Sequence, residues 1–274
     1  MAYIRAEIKM EEMTRTMPVS LYFPTDLPEE VGNKVKGVIT LFHGMGNSPS
    51  DWMMMSAATR YAADNGYILV APGADNSFFA DMAFGSPYYT AITEYLPRKL
   101  DAIFKIPRKR EINYLAGLSM GGYGAMHVGL SNPDKYAAIG SFSGSLDAAW
   151  ILENYREDAT LRPIMEAVVG TEFVLPERYD VFRLAEKVSK MPKKEQPRIF
   201  CTCGRQDGST RMYLQNLAFK EHAAKLPLDY TFREWDGVHE WNFWDRSLAE
   251  FIGFIQGSDY GRRKRGDWSA PESP

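Results

Sequence analysis

The sequence predicts an α/β fold: a mostly parallel central sheet with helices on both faces and an antiparallel hairpin at its N-terminus. Three observations carry this. Short apolar runs of the kind a fully buried strand needs recur along the chain. Segments with helical periodicity alternate with them. The first two strand-like segments sit on either side of a short charged turn, as in a hairpin.

The elements follow in order. Residues 3–9 and 18–23 form the hairpin, joined by a turn at 11–15. Residues 37–42, Gly-Val-Ile-Thr-Leu-Phe, are the first buried strand. Ser48-Pro49 is a cap and first-turn pair for a helix reaching Asn65, with Gly66 at the position that favours positive φ. Residues 67–71 are the next strand. Ser86-Pro87 opens a helix with Tyr88, Ile92, Tyr95, Leu96, Leu100 and Ile103 on one face, kinked at Pro97. Strands follow at 111–116, 137–142, 198–203 and 229–235. Helices are expected after the Gly-rich turn at 117, over 210–225 and over 241–255.

No internal repeat or linker interrupts residues 1–256, which read as one domain. Residues 143–190 hold no clear strand and read as an insertion over the active site. Residues 257–274 are polar, include Arg262-Arg263-Lys264-Arg265, and read as a flexible, solvated tail.

Composition bounds the function. The chain has 274 residues, 45% hydrophobic and 24% charged, with a formal charge of −3. That balance gives no reason to expect a nucleic-acid or membrane surface. There is no signal-peptide pattern and no apolar run long enough to span a bilayer, so a cytoplasmic protein is expected. Cys201 and Cys203 alternate along a strand, which disfavours a mutual bridge and makes a poor zinc site.

The chemistry centres on Gly117-Leu118-Ser119-Met120-Gly121. A serine between a strand and a helix, with glycines two residues either side, is what a nucleophile elbow requires. Serine needs a base to take its proton. Of four histidines, His127 and His222 fall inside expected helices, and His43 follows the first buried strand. His239, between the last strand and the last helix, is the candidate base. Asp207, just after the strand at 198–203, is the candidate carboxylate that holds the imidazole tautomer. Asp236 is its rival, three residues from His239. The oxyanion needs two backbone donors. Met120 supplies one and Met45, in His43-Gly44-Met45-Gly46-Asn47, the other. Trp52, the three methionines that follow it, and Phe78 and Phe79 come after the two loops nearest the site. Trp52 and Phe78 are the candidate substrate contacts.

These segments resemble the esterase D-like esterase group, closest to tributyrin and acetyl esterases. Leu41-Phe-His-Gly-Met-Gly-Asn47, Gly117-Leu-Ser-Met-Gly-Gly-Tyr-Gly124, Cys203-Gly-Arg-Gln-Asp207 and His239-Glu-Trp-Asn-Phe-Trp244 carry the resemblance. The segments at 73–79 and 95–97 fit it too. The resemblance implies an α/β-hydrolase fold, Ser119, Asp207 and His239 as a triad, and Met45 and Met120 as the oxyanion hole.

The expected function is a serine carboxylesterase acting on acetyl to butyryl esters through an acyl-enzyme, with a small-molecule ester as partner and no cofactor or metal. The sequence leaves a homo-oligomer open. The same triad could serve an S-formylglutathione hydrolase, a feruloyl or acetylxylan esterase, or an acyltransferase. An inactive binding protein that kept the fold is the alternative from another class.

Overall fold

The computed structural model describes residues 1–25 and 35–263. Its elements are β1 (Ala2–Met10), β2 (Arg15–Phe23), β3 (Gly37–Phe42), α1 (Asp51–Met55), α2 (Ala58–Asn65), β4 (Tyr67–Pro72), α3 (Tyr88–Thr90), a π-helical stretch Ala91–Tyr95, and α4 (Leu96–Phe104). They continue with β5 (Asn113–Leu118), α5 (Met120–Ser131), β6 (Ala138–Phe142), α6 (Ala148–Tyr155), α7 (Leu161–Val169), α8 (Val181–Ser189), β7 (Arg198–Gly204), α9 (Met212–Ala223), β8 (Tyr230–Trp235), α10 (Trp241–Gln256) and α11 (Tyr260–Arg263).

One eight-stranded sheet runs β1-β2-β4-β3-β5-β6-β7-β8. β1 pairs with β2, and β2 with β4, antiparallel; every other pair is parallel. The inner parallel strands are buried on both faces, which is why they read as continuous apolar runs. One face packs Phe42, Met120, Tyr123, Met126 and Ile139 beneath the helices α4, α5 and α8. The other packs Trp52, Tyr61, Leu248, Phe251 and Ile252 beneath α1, α2 and α10. The chain leaves β3 toward β4 on one side and returns to β5 on the other, so the strand order reverses between β3 and β5. The crevice at the carboxyl ends of strands flanking such a switch is where open α/β sheets bind ligands.

Four local expectations need correction. The helix expected over 48–65 breaks at Ser56, which is extended at φ −136°. The Ser56 hydroxyl donates to the Trp52 carbonyl and accepts the Ala58 N–H, and the Asp245 carboxylate takes the Ala57 N–H. A serine competing locally for backbone groups ends α1 and caps α2. The helix expected from 210 starts at Met212, because Thr210 and Arg211 both hold positive φ. The kink expected at Pro97 is a π-helical stretch just before it. Proline cannot donate to the Thr93 carbonyl one turn back, and Lys135 Nζ donates to it instead. The tail expected from 257 is docked in its first part. Gly257 closes α10 at φ 64°, and the Tyr260 hydroxyl donates to Asp64. The rest of that stretch, with Lys264 and Arg265, lies outside the described residues.

Residues 143–190 hold α6, α7 and α8 and no strand. α8 packs on α5, with Leu184 and Val188 in the main core. α6 and α7 form their own small core from Ile151, Leu152, Met165 and Phe173. Among the described residues no helix is long and apolar enough to cross a membrane.

Candidate active site

Ser119 stands on the turn between β5 and α5 at φ 54° and ψ −121°. A non-glycine residue held there costs about 1–3 kcal/mol, and such strain persists only where the surroundings enforce it. Here they do. The Ser119 N–H donates to the Phe142 carbonyl of β6, and the Ser119 carbonyl accepts from Tyr123 and Ser145 N–H. The flanking glycines are required by contact. A β-carbon on Gly117 would lie 2.2 Å from the Gly121 carbonyl oxygen. Six other non-glycine residues with positive φ (Asp75, Phe78, Phe79, Ser143, Thr210 and Arg211) lie in the loops after β4, β6 and β7, all on this end of the sheet.

His239 enters from the loop between β8 and α10. Its Nε2 lies 2.9 Å from Ser119 Oγ and its Nδ1 lies 2.8 Å from Asp207 Oδ2. A carboxylate accepts, so the Nδ1 carries the proton and the bare Nε2 accepts from the Ser119 hydroxyl. The Asp207 side chain is fully buried, whereas His239 is partly open. The Trp244 ring stands edge-on to the imidazole at 4.9 Å and packs one side of it.

The two loops that bring Asp207 and His239 together are tied to each other. The Gly237 N–H donates to Gln206 Oε1, and the Gln206 N–H donates to the Gly237 carbonyl. A β-carbon on Gly204 would lie 2.2 Å from that same carbonyl oxygen. The rival carboxylate, Asp236, is exposed and accepts from Gln206 and Arg205, which hold it below the usual carboxylate range. It faces these partners and not the imidazole. Sequence reasoning missed Gln206; its position beside Asp207 gave no signal by itself.

Gly44, in the loop after β3, lies against the elbow: a β-carbon there would sit 2.7 Å from Leu118 Cδ1 and 3.6 Å from Ser119 Cβ. Met45 follows it. Met120 is the first residue of α5, where helix geometry leaves N–H groups without an intrahelical acceptor.

The two candidate substrate contacts part company. Trp52 is fully buried, donates its indole N–H to the Phe42 carbonyl and packs edge-on against Phe142 and Trp241. It is a core residue. Met54 and Met55 are exposed, and Met54 Sδ accepts from Arg5 of the edge strand. Phe79 is buried and stacks on Phe42. Phe78 does line a hollow, with Tyr123, Ile151, Leu152, Met165 and Leu175. Tyr123 lies one turn along α5 from Ser119, and the α6 and α7 side chains come from the 143–190 stretch. The end of α7 is fastened to the loop after β4, where Ala83 and Phe84 N–H donate to the Val168 and Ala167 carbonyls. No cluster of side chains suited to hold a metal ion occurs among the described residues.

A family model described as "Putative esterase" matches residues 10–255. An acetyl esterase of Caldicellulosiruptor saccharolyticus is 24% identical over 262 residues, 91% of this chain and 96% of that one. Among solved structures, the fluorophosphonate-binding serine hydrolase FphF of Staphylococcus aureus superposes with a TM-score of 0.80 at 26% identity, covering 93% of this chain and 98% of that one. The S-formylglutathione hydrolase FrmB of the same organism gives 0.78 at 26% identity with the same coverage.

Proposed function

The chain belongs to the esterase family that this model describes and is a carboxylic ester hydrolase of α/β-hydrolase fold, and from that premise we propose that it cleaves short-chain acyl esters through an acyl-enzyme on Ser119. The observation that carries this reading is the single imidazole of His239 bridging Ser119 Oγ and the buried Asp207 carboxylate.

In this reading the His239 Nε2 takes the Ser119 proton as Oγ attacks the ester carbonyl carbon. The carbonyl oxygen becomes an oxyanion facing the Met45 and Met120 N–H groups, which act as preorganised donors. Collapse breaks the bond to the alkoxy group. His239 gives that oxygen the proton, and the alcohol leaves. Water then attacks the acyl-enzyme by the same proton path and releases the acid. Asp207 keeps the imidazole in one tautomer and stabilises its charged form without taking the proton.

The short-chain assignment rests on the acetyl esterase relative and on the hollow at Phe78. That hollow is lined mainly by apolar side chains and is open to solvent. Each methylene that fits adds up to about 0.8 kcal/mol of burial, so rate rises with chain length until the space fills. The likeness to FrmB favours a second reading, a thioester substrate such as S-formylglutathione cleaved on the same triad. A panel of acyl esters from two to twelve carbons, with S-formylglutathione beside it, tests both. A kcat/KM maximum at two to four carbons supports the first. A thioester preference of more than about a hundredfold supports the second, by about 2.7 kcal/mol of transition-state stabilisation. A maximum beyond eight carbons contradicts both.

A further inference from the structure

We infer that His43 is a positioning residue for the oxyanion site, holding the Gly44 carbonyl so that the N–H on the other side of the same peptide group, that of Met45, is aimed in one direction. The inference rests on the proposed roles of Ser119 and Met45.

His43 follows β3 and is 1% exposed. Its Nδ1 lies 2.8 Å from the Gly44 carbonyl oxygen, and its Nε2 lies 3.0 Å from the Ala74 backbone nitrogen. A carbonyl only accepts and an N–H only donates. The two partners therefore leave one arrangement: Nδ1 carries the proton and donates to Gly44, and bare Nε2 accepts from Ala74. The Gly44 C=O and the Met45 N–H belong to one planar peptide unit, in which they point in opposite directions. Clamping the oxygen aims the hydrogen. That peptide starts from the residue whose added β-carbon would strike Leu118 and approach Ser119, so it runs beside the elbow.

The loop is braced at a second point. The Gly46 N–H donates to Asn76 Oδ1 at 2.8 Å. Ala74 and Asn76 both belong to the loop after β4, so one neighbouring loop steadies the oxyanion loop through a ring nitrogen and through an amide. The Phe79 ring packs against the imidazole at 5.5 Å. Burial favours the neutral ring over the charged one and outweighs the pull of Asp51 and Asp75. A second proton on Nε2 would confront the Ala74 N–H and release the ring. The geometry thus needs His43 neutral, whereas His239 in the proposed mechanism cycles between neutral and charged.

Two substitutions separate positioning from bulk. In His43→Asn the side-chain amide can reach the Nδ1 place and still donate to Gly44. In His43→Gln the amide reaches the Nε2 place, satisfying Ala74 and leaving the Gly44 carbonyl with only the longer bond it accepts from the Asn47 N–H at 3.2 Å. Removing a whole oxyanion donor costs about 10²–10³ in kcat, so misaiming one is expected to lower kcat of His43→Gln roughly 10–100-fold. KM stays within about threefold, because the ground-state ester does not use the interaction fully. Affinity for a trifluoromethyl ketone, which forms a tetrahedral adduct, falls by the same factor as kcat. His43→Asn recovers kcat to within about fivefold of the parent. A folded His43→Gln with parental kcat and inhibitor affinity overturns the inference, as do equal losses in both variants. Should the variants not fold, long-range proton–nitrogen NMR of the ¹⁵N-labelled parent decides: the Nδ1–H tautomer for His43 supports it, and the Nε2–H tautomer overturns it. If the parent is not acylated at Ser119, the proposed function fails; if it is acylated normally and only these results fail, the loss is confined to His43.

Discussion

Gly121 and Phe42 touch through their backbones: a β-carbon built on Gly121 would lie 2.4 Å from the Phe42 carbonyl oxygen and 2.5 Å from that of His43. This contact seats the first turn of α5 on the end of β3, so the elbow and the loop after β3 share one wall. Gly121→Ala must push them apart. Overpacking of this kind costs roughly 1–3 kcal/mol. The variant should melt several degrees lower and, if the Met45 N–H is an oxyanion donor as proposed, lose at least about tenfold in kcat as the loop after β3 is displaced. Calorimetry and steady-state kinetics check both.

Asp207 and Asp236 should differ sharply under the same substitution. Asp207→Asn replaces one carboxylate oxygen with an NH2 donor, which favours the wrong imidazole tautomer and removes the charge that stabilises the imidazolium, and kcat is expected to fall by about 10⁴. Asp236→Asn disturbs only solvent-exposed bonds to Arg205 and Gln206, which contribute little, and should leave kcat within a few-fold. Kinetics of the two purified variants decide; equal losses would mean that the acid has been misassigned.

The buried His127 predicts how the fold responds to acid. It lies in α5 among the rings of Tyr89, Tyr123 and Tyr179, at 5.1, 5.9 and 5.0 Å. Burial pushes its imidazole down to about 3 from an ordinary 6.5. The unfolded chain therefore takes up the proton first as pH falls. Stability is undiminished above about pH 6.5 and is lost on acidification until about pH 3, at up to about 1.4 kcal/mol per pH unit. His127→Phe should flatten that loss between about pH 6 and 4, by roughly 2–3 kcal/mol. Urea midpoints measured across that range show whether it does.

Cys201 and Cys203 are buried on β7. Burial pushes the Cys201 thiol up to about 12 and the Cys203 thiol higher still, with the Asp207 charge adding to the latter. Thiolate is the reactive form. Neither cysteine should react with a disulfide reagent at pH 8 in the folded protein, and both should react in denaturant. Rapid labelling of either in the native state contradicts the packing described for β7.

Much of this was legible in the residues. The buried strands announce themselves because both faces are covered, and 37–42 reads with the bounds of β3. Ser119, Asp207 and His239 stand out because each follows a strand of the sheet in a polar or glycine-rich turn. Side-chain competition for backbone groups was not legible. Ser56 splits a helix whose apolar pattern continues through it, and strain at Thr210 and Arg211 delays α9. Trp52 was misread for a related reason. Its place just after the oxyanion loop is close to the site along the chain, but the Phe42 carbonyl draws its indole into the core. The bracing of the His239 loop by Gln206, and the seating of the His43 ring by the Ala74 N–H, depend on pairings between loops that no local pattern encodes.

The central claim is that Ser119 is the atom acylated and His239 the base that makes it so. The most direct measurement is a rapid-quench reaction with a chromogenic acetate ester, followed by mass spectrometry of the digested protein. The account predicts a burst of about one equivalent of chromophore and one acetyl group on the peptide carrying Ser119. It also predicts that a Ser119→Ala variant of unchanged melting temperature shows neither, with kcat reduced by several orders of magnitude. An acetyl group on any other residue, or a burst that survives in Ser119→Ala, would contradict it.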